Sequence, residues 1–131
     1  MIILHCLTES EWNRHKNNEY YGENYIVKGG FIHCSDIHNF HRVAPNFRHI
    51  TEPMVLLCID SAKVTPSVIW EDLYNEGEEY PHIYGALNLD AVTNVLPFLR
   101  DENGDLLLNF ELQQILYKWI KNQKEMTKCT E

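Results

Sequence analysis

The 131 residues carry 11 basic and 19 acidic side chains, a formal net charge of −8 at pH 7, with 44% hydrophobic and 23% charged residues. A chain of that length suits one domain and buries roughly two-thirds of its unfolded surface, so it needs neither metal nor disulfide to fold. The acid surplus repels a phosphate backbone and argues against nucleic-acid binding, and no run approaches the ~18 apolar residues of a membrane helix, so no membrane partner is expected.

Residues 2–6 are short and apolar and read as a strand. Thr8-Glu9-Ser10-Glu11 is a capping box, in which the Thr hydroxyl accepts the N3 amide while the Glu reaches back, so a helix is expected over 9–18. Residues 20–25 form an aromatic, turn-rich loop, and Gly29-Gly30 breaks the chain before a second strand at 31–34. Ser35 and Asp36 are both good N-caps and predict a helix over 37–47, disturbed at Pro45. The apolar run 54–59, ended by Asp60, has the pattern of a buried central strand. Further strands are expected at 68–71 and 90–99, an exposed acid-rich loop at 73–79, and an extended segment at 82–84. Asp101-Glu102-Asn103-Gly104 reads as a hairpin turn. Leu112, Ile115, Leu116, Trp119 and Ile120 recur at helical spacing and predict a closing amphipathic helix.

This order predicts one α+β domain over residues 1–123, a mixed, mainly antiparallel sheet with flanking helices, and a polar, frayed tail at 124–131. Of the four cysteines, Cys6, Cys34 and Cys58 sit in apolar strand-like runs as small hydrophobes. With no C-x-x-C pair, and no basic start and long apolar core at the N-terminus, a reducing, cytoplasmic setting is expected.

Seven histidines is a high count, and His33, His38, His41 and His49 share one stretch. The run His33-Cys34-x3-His38-x2-His41 has the residue types of a zinc site. Strand alternation, however, sends His33 and Cys34 to opposite faces, and His38 and His41 read as solvated helix residues, so no metal is expected. His82 and Tyr84 face the same way in an extended segment. An imidazole beside a phenol can hydrogen-bond a polar ligand or relay a proton, or the two can satisfy each other at a turn. Ser35 shares a face with His33 if the strand continues, and otherwise caps the next helix. Cys34 lacks a partnered base and reads as a core residue. Glu71, following Trp70 at a strand end, can orient a substrate hydroxyl or act as a base, or stand in solvent at a rim.

The blocks Gly30-Phe31-Ile32-His33-Cys34-Ser35, Leu56-Leu57-Cys58-Ile59-Asp60, Val68-Ile69-Trp70-Glu71, Tyr80-Pro81-His82-Ile83-Tyr84-Gly85-Ala86-Leu87-Asn88 and Asp90-Ala91-Val92 stand in the order found in a bacterial domain-of-unknown-function family, number 952. Over roughly residues 1–110 the chain resembles that family. It departs at Cys34, commonly apolar in members, and at Tyr80 and Ala86, where Phe and Pro are usual. Members have been likened in fold to the ADP-ribosyltransferases. The resemblance therefore implies an ADP-ribosyltransferase-like fold with a cleft at the split of its sheet, and NAD, used as a substrate, as its ligand. It implies His33 holding a ribose hydroxyl and the nicotinamide amide, Tyr84 stacking on the nicotinamide, and Glu71 orienting the attacking group.

The expected catalytic set is Glu71, His33 and His82, with Ser35, Trp70 and Tyr84 binding ligand. The leading expectation is a cleft for NAD or another nucleotide with transferase-type activity. The alternative is a non-catalytic small-molecule or partner-binding module that uses the same residues.

Overall fold

A computed structural model describes residues 1–130, with side chains through residue 125. The chain opens with strand β1 (Ile2–Thr8) and helix α1 (Glu9–His15). Half of the expected capping box is present: the Thr8 hydroxyl accepts the Glu11 amide at 3.2 Å. The helix is one turn shorter than expected, closed at Lys16, whose amide bonds Trp12. The expected loop at 20–25 instead holds strand β2 (Tyr20–Tyr21) and the start of helix α2 (Glu23–Gly29). Gly30 ends α2 at φ 87°, the left-handed geometry that a glycine C-cap adopts without strain.

Strands β3 (Ile32–His33) and β4 (Ser35–Asp36) follow. Ser35 and Asp36 are therefore not helix caps, because their backbone pairs with β1. The helix expected over 37–47 contracts to α3 (Phe40–Val43) and a 3-10 turn, Ala44–Phe47, since Pro45 has no amide to continue an α ladder. Next come β5 (Met54–Asp60), β6 (Ser67–Glu71), β7 (Tyr80–Tyr84) and β8 (Leu87–Asn88). The strand expected at 90–99 is β9 (Val92–Pro97), entered by the 3-10 turn Leu89–Ala91. Strands β10 (Leu99–Arg100) and β11 (Leu106–Leu107) form a small hairpin around Asp101, whose carboxylate accepts the amides of Asn103 and Asp105. Helix α4 (Phe110–Thr130) closes the chain and runs past Gln123 into the expected tail, of which residue 131 lies outside the described residues.

The fold is α+β, and among the described residues every strand pairing is antiparallel. A four-stranded sheet runs β4-β1-β5-β9, a three-stranded sheet runs β3-β7-β6, and β2-β8 and β10-β11 make two short ribbons. The four-stranded sheet is covered on both faces. Ile3, Leu7, Val55, Leu57 and Ile59 point toward Ile32 and Ile83 of the three-stranded sheet. Leu4, Leu56 and Cys58 point toward Phe40, Phe98 and Leu112 of α4. This two-sided burial explains the unbroken apolar run in β5. The chain passes from one sheet to the other between β3 and β4, at Cys34, whose amide bonds Pro81 at 3.1 Å. Among the described residues no helix is long and apolar enough to cross a membrane.

Candidate functional site

Register decides which side chains of the three-stranded sheet meet. Ile32 and Val68 both lie opposite Ile83 and turn into the core, so His33, opposite His82, turns outward. With a period of two, Phe31, His33, His82, Tyr84 and Glu71 share the outer face. Their geometry confirms it. Glu71 Oε1 accepts from His82 Nδ1 at 2.8 Å and from the Tyr84 hydroxyl. The His33 and His82 rings meet edge to face at 5.2 Å, and Phe31 packs on His33, His82 and Tyr84 with centroids at 4.7, 4.4 and 5.2 Å.

A cleft of about 580 Å3 opens beside this face, within the usual range for small-molecule sites. His33, His82 and Ser35 line it, with Tyr25, Arg42, Tyr74, Glu76 and Tyr80. Leu4, Phe40 and Val43 contribute apolar lining. Glu71 and Tyr84 do not line the cleft; they hold His82 from the side. Trp70 lies opposite Pro81 on the other face of β6, separated from the cluster by strand alternation. The Ser35 hydroxyl donates to the Asp36 carbonyl at 2.9 Å and is 2% exposed, so its polar atom is turned to the backbone.

The hydrogen bonds from Tyr84 and His82 hold the Glu71 carboxyl below its usual pKa, and the same carboxylate raises the Tyr84 phenol. Partial burial, helped by the neighbouring His82, lowers the His33 pKa and favours a neutral ring. An ionised carboxylate only accepts, so His82 Nδ1 carries the proton and Nε2 bears the lone pair of the neutral ring. Among the described residues His82 Nε2 and Glu71 Oε2 have no hydrogen-bond partner. Cys34 is buried, which pushes its thiol pKa up and leaves it a poor nucleophile.

The residues of the zinc pattern are dispersed. His38 stacks on Trp119 at 4.4 Å, and His41 Nδ1 bonds the His38 carbonyl. Among the described residues no three His, Cys, Asp or Glu side chains converge on one point. Sequence reasoning missed Phe31, Arg42, Tyr74 and Tyr80, which reach the site from strand, helix and loop. It also missed a buried group formed by His5, Tyr21, Tyr25 and Glu11. The only trace of that group in the sequence was a polar His5 inside the apolar run 2–7.

Fold and site together define a small antiparallel α+β domain with a histidine-lined cleft beside the outer face of its three-stranded sheet. The chain belongs to the family described as a protein of unknown function, DUF952, whose model matches residues 6–95. It is similar to protein CC0527 from Caulobacter crescentus, at 26% identity and a TM-score of 0.73 to a crystal structure covering 86% of this chain and 99% of that one. The solution structure of the same relative gives 27% identity and a TM-score of 0.67, covering 82% and 92%. No curated protein matches the chain.

Proposed function

We propose that the cleft binds a nucleotide of the NAD type and that the domain acts on it as an ADP-ribosyltransferase-like enzyme, with His82 as general base. The observation that carries this reading is the Glu71–His82 pair. One carboxylate oxygen fixes the imidazole through Nδ1, and Nε2 is left free on a ring that lines the cleft. A carboxylate-oriented imidazole of this kind takes a proton from an attacking group. In the balanced step, the bond from ribose C1′ to the nicotinamide nitrogen breaks and its electron pair leaves with nicotinamide. The acceptor's oxygen or nitrogen closes on C1′, and its proton passes to His82 Nε2.

The chain's own residues divide the rest of the work. His33, neutral and facing His82, hydrogen-bonds a ribose hydroxyl. Glu71 lies outside the cleft wall and is a positioning carboxylate acting through His82, with Tyr84 steadying it. That differs from the direct role the family likeness implies for Glu71. Tyr74, 65% exposed at the cleft with its ring parallel to His33 within 16°, is better placed than Tyr84 to stack on a planar group.

The test is calorimetric titration with NAD beside an assay of nicotinamide release. Saturable binding is expected, weakened in His33→Ala and His82→Ala. Glu71→Gln, which can turn an amide donor toward Nδ1 and impose the wrong tautomer, should lower release about 10²- to 10⁴-fold while leaving affinity within about threefold. Binding without release in the wild type would support the non-catalytic module instead. No binding by folded protein would overturn the nucleotide reading.

A further inference from the structure

A second polar group borders the same cleft, and the proposed chemistry does not use it. His5 is 6% exposed, between Ile3 and Leu7 on the face of β1 that packs against the three-stranded sheet. Both of its ring nitrogens are engaged. Nδ1 lies 2.7 Å from the backbone carbonyl of His33, and Nε2 lies 3.2 Å from the Tyr21 hydroxyl. The Tyr21 and Tyr25 hydroxyls are 3.4 Å apart, and each also reaches Glu11 Oε1, at 3.3 and 3.4 Å. A carbonyl accepts only, so Nδ1 must carry the proton. In the neutral ring, which burial favours, Tyr21 donates to Nε2 and Tyr25 donates to Glu11.

The carbonyl that His5 serves sits at the fork between the two sheets. β1 and β4 pair at Ile3↔Asp36 and Leu4↔Ser35. One step further, His5 would face Cys34 in the ladder, but the Cys34 amide is given to Pro81 in the other sheet. The His5 side chain supplies the donor that a continuing strand would have provided. The bond is partly buried, with His5 itself 6% exposed, so it constrains the backbone position at His33.

We infer that His5 is a positioning residue: its Nδ1–H, fixed in that tautomer by the His33 carbonyl and with Nε2 satisfied by the Tyr21 hydroxyl, closes the fork between the sheets and fixes His33 so that its ring faces His82 in the cleft. Only the consequence for ligand affinity rests on the nucleotide reading; the structural role stands apart from it.

The experiment uses the full chain labelled with 15N-histidine. At pH 7.5 the wild type should show His5 in the Nδ1–H tautomer and a nuclear Overhauser contact between the His33 and His82 rings. An Nε2–H tautomer overturns the proposal without any variant. His5→Leu should lose the ring contact and bind NAD about tenfold more weakly through lost alignment. His5→Asn, whose amide nitrogen falls near the Nδ1 position, should restore both. A folded His5→Leu protein with unchanged ring contact and affinity overturns the proposal. If the wild type does not bind NAD, the nucleotide reading fails, and the tautomer and ring contact still decide the role of His5.

Discussion

Ile83 separates the two requirements that β7 must meet, and replacing it tests whether they are independent. It is fully buried between His82 and Tyr84, opposite Ile32 and Val68, and its side chain points into the inter-sheet core while its neighbours face outward. Ile83→Ala removes buried methyl and methylene groups from a packed interface, a change that costs about 2–5 kcal/mol. For a chain of this size each kcal/mol shifts melting by roughly 4 °C, so the transition should fall by roughly 8–20 °C. Urea denaturation should show a lower midpoint with an unchanged slope. Measured well below the transition, NAD affinity should stay within about threefold, because ladder hydrogen bonds hold the register whatever the side chain. A loss below about 1 kcal/mol would mean that the three-stranded sheet does not pack on the four-stranded one. Collapse of binding with stability intact would mean that the assignment of faces is wrong.

Gly85, just past Tyr84, tests the same hairpin by steric means. A Cβ there would stand 2.8 and 2.9 Å from Cβ and Cγ of Pro66, a ring that cannot turn aside. Gly85→Ala should therefore cost about 1–3 kcal/mol, and should displace Tyr84 from Glu71, read as a drop in the Tyr84 phenol pKa toward 10 by ultraviolet titration. The pH profile of stability follows from the depressed groups. His5 and His33 titrate below their ordinary 6.5 in the folded chain, so the unfolded chain binds more protons just under that pH and stability falls as pH drops from about 6.5. Glu71, depressed below 4.5, adds a second loss as pH falls through its folded value. A urea midpoint flat between pH 7.5 and 5 would contradict the burial of His5 and the partial desolvation of His33.

How much of this was legible in the sequence depended on whether a signal was local. β5 announced itself because both of its faces are buried and every position from Met54 to Ile59 is apolar. α4 did so because Leu112, Ile115, Leu116 and Trp119 keep one stripe. The outward face of β7 was legible as His82 and Tyr84 at i, i+2. Ser35 and Asp36 misled because their cap chemistry is real, but pairing with β1 satisfied the backbone first. Trp70, expected among the ligand-binding residues, lies across β6 from Glu71, because a strand sends consecutive residues to opposite faces. The His5 group was out of reach, since its members come from β1, α1, β2 and α2 and meet only through tertiary packing.

The acidic segment 71–79 is the main electrostatic argument against an anionic ligand, and its side chains weaken that argument one by one. Glu71 is bound to His82 and Tyr84. Asp72 accepts the amides of Glu76 and Gly77 at 2.9 and 2.8 Å and so shapes the loop. Glu78 is shared between Arg42, at 3.7 Å, and Asn39, at 3.4 Å. Among the described Asp, Glu, Lys and Arg side chains, only Arg42 and Glu76 line the cleft. A diphosphate entering it meets one cation and one anion, and the balance turns on Glu76. Glu76→Gln should therefore tighten NAD binding about two- to fivefold at low ionic strength, with the gain vanishing near 1 M salt, where the Debye length is ~3 Å. Adenosine, which has no phosphate, should not respond. Equal effects on both ligands would place the diphosphate elsewhere. No effect on NAD at low salt would mean that the cleft beside His33 and His82 is not where its phosphates lie.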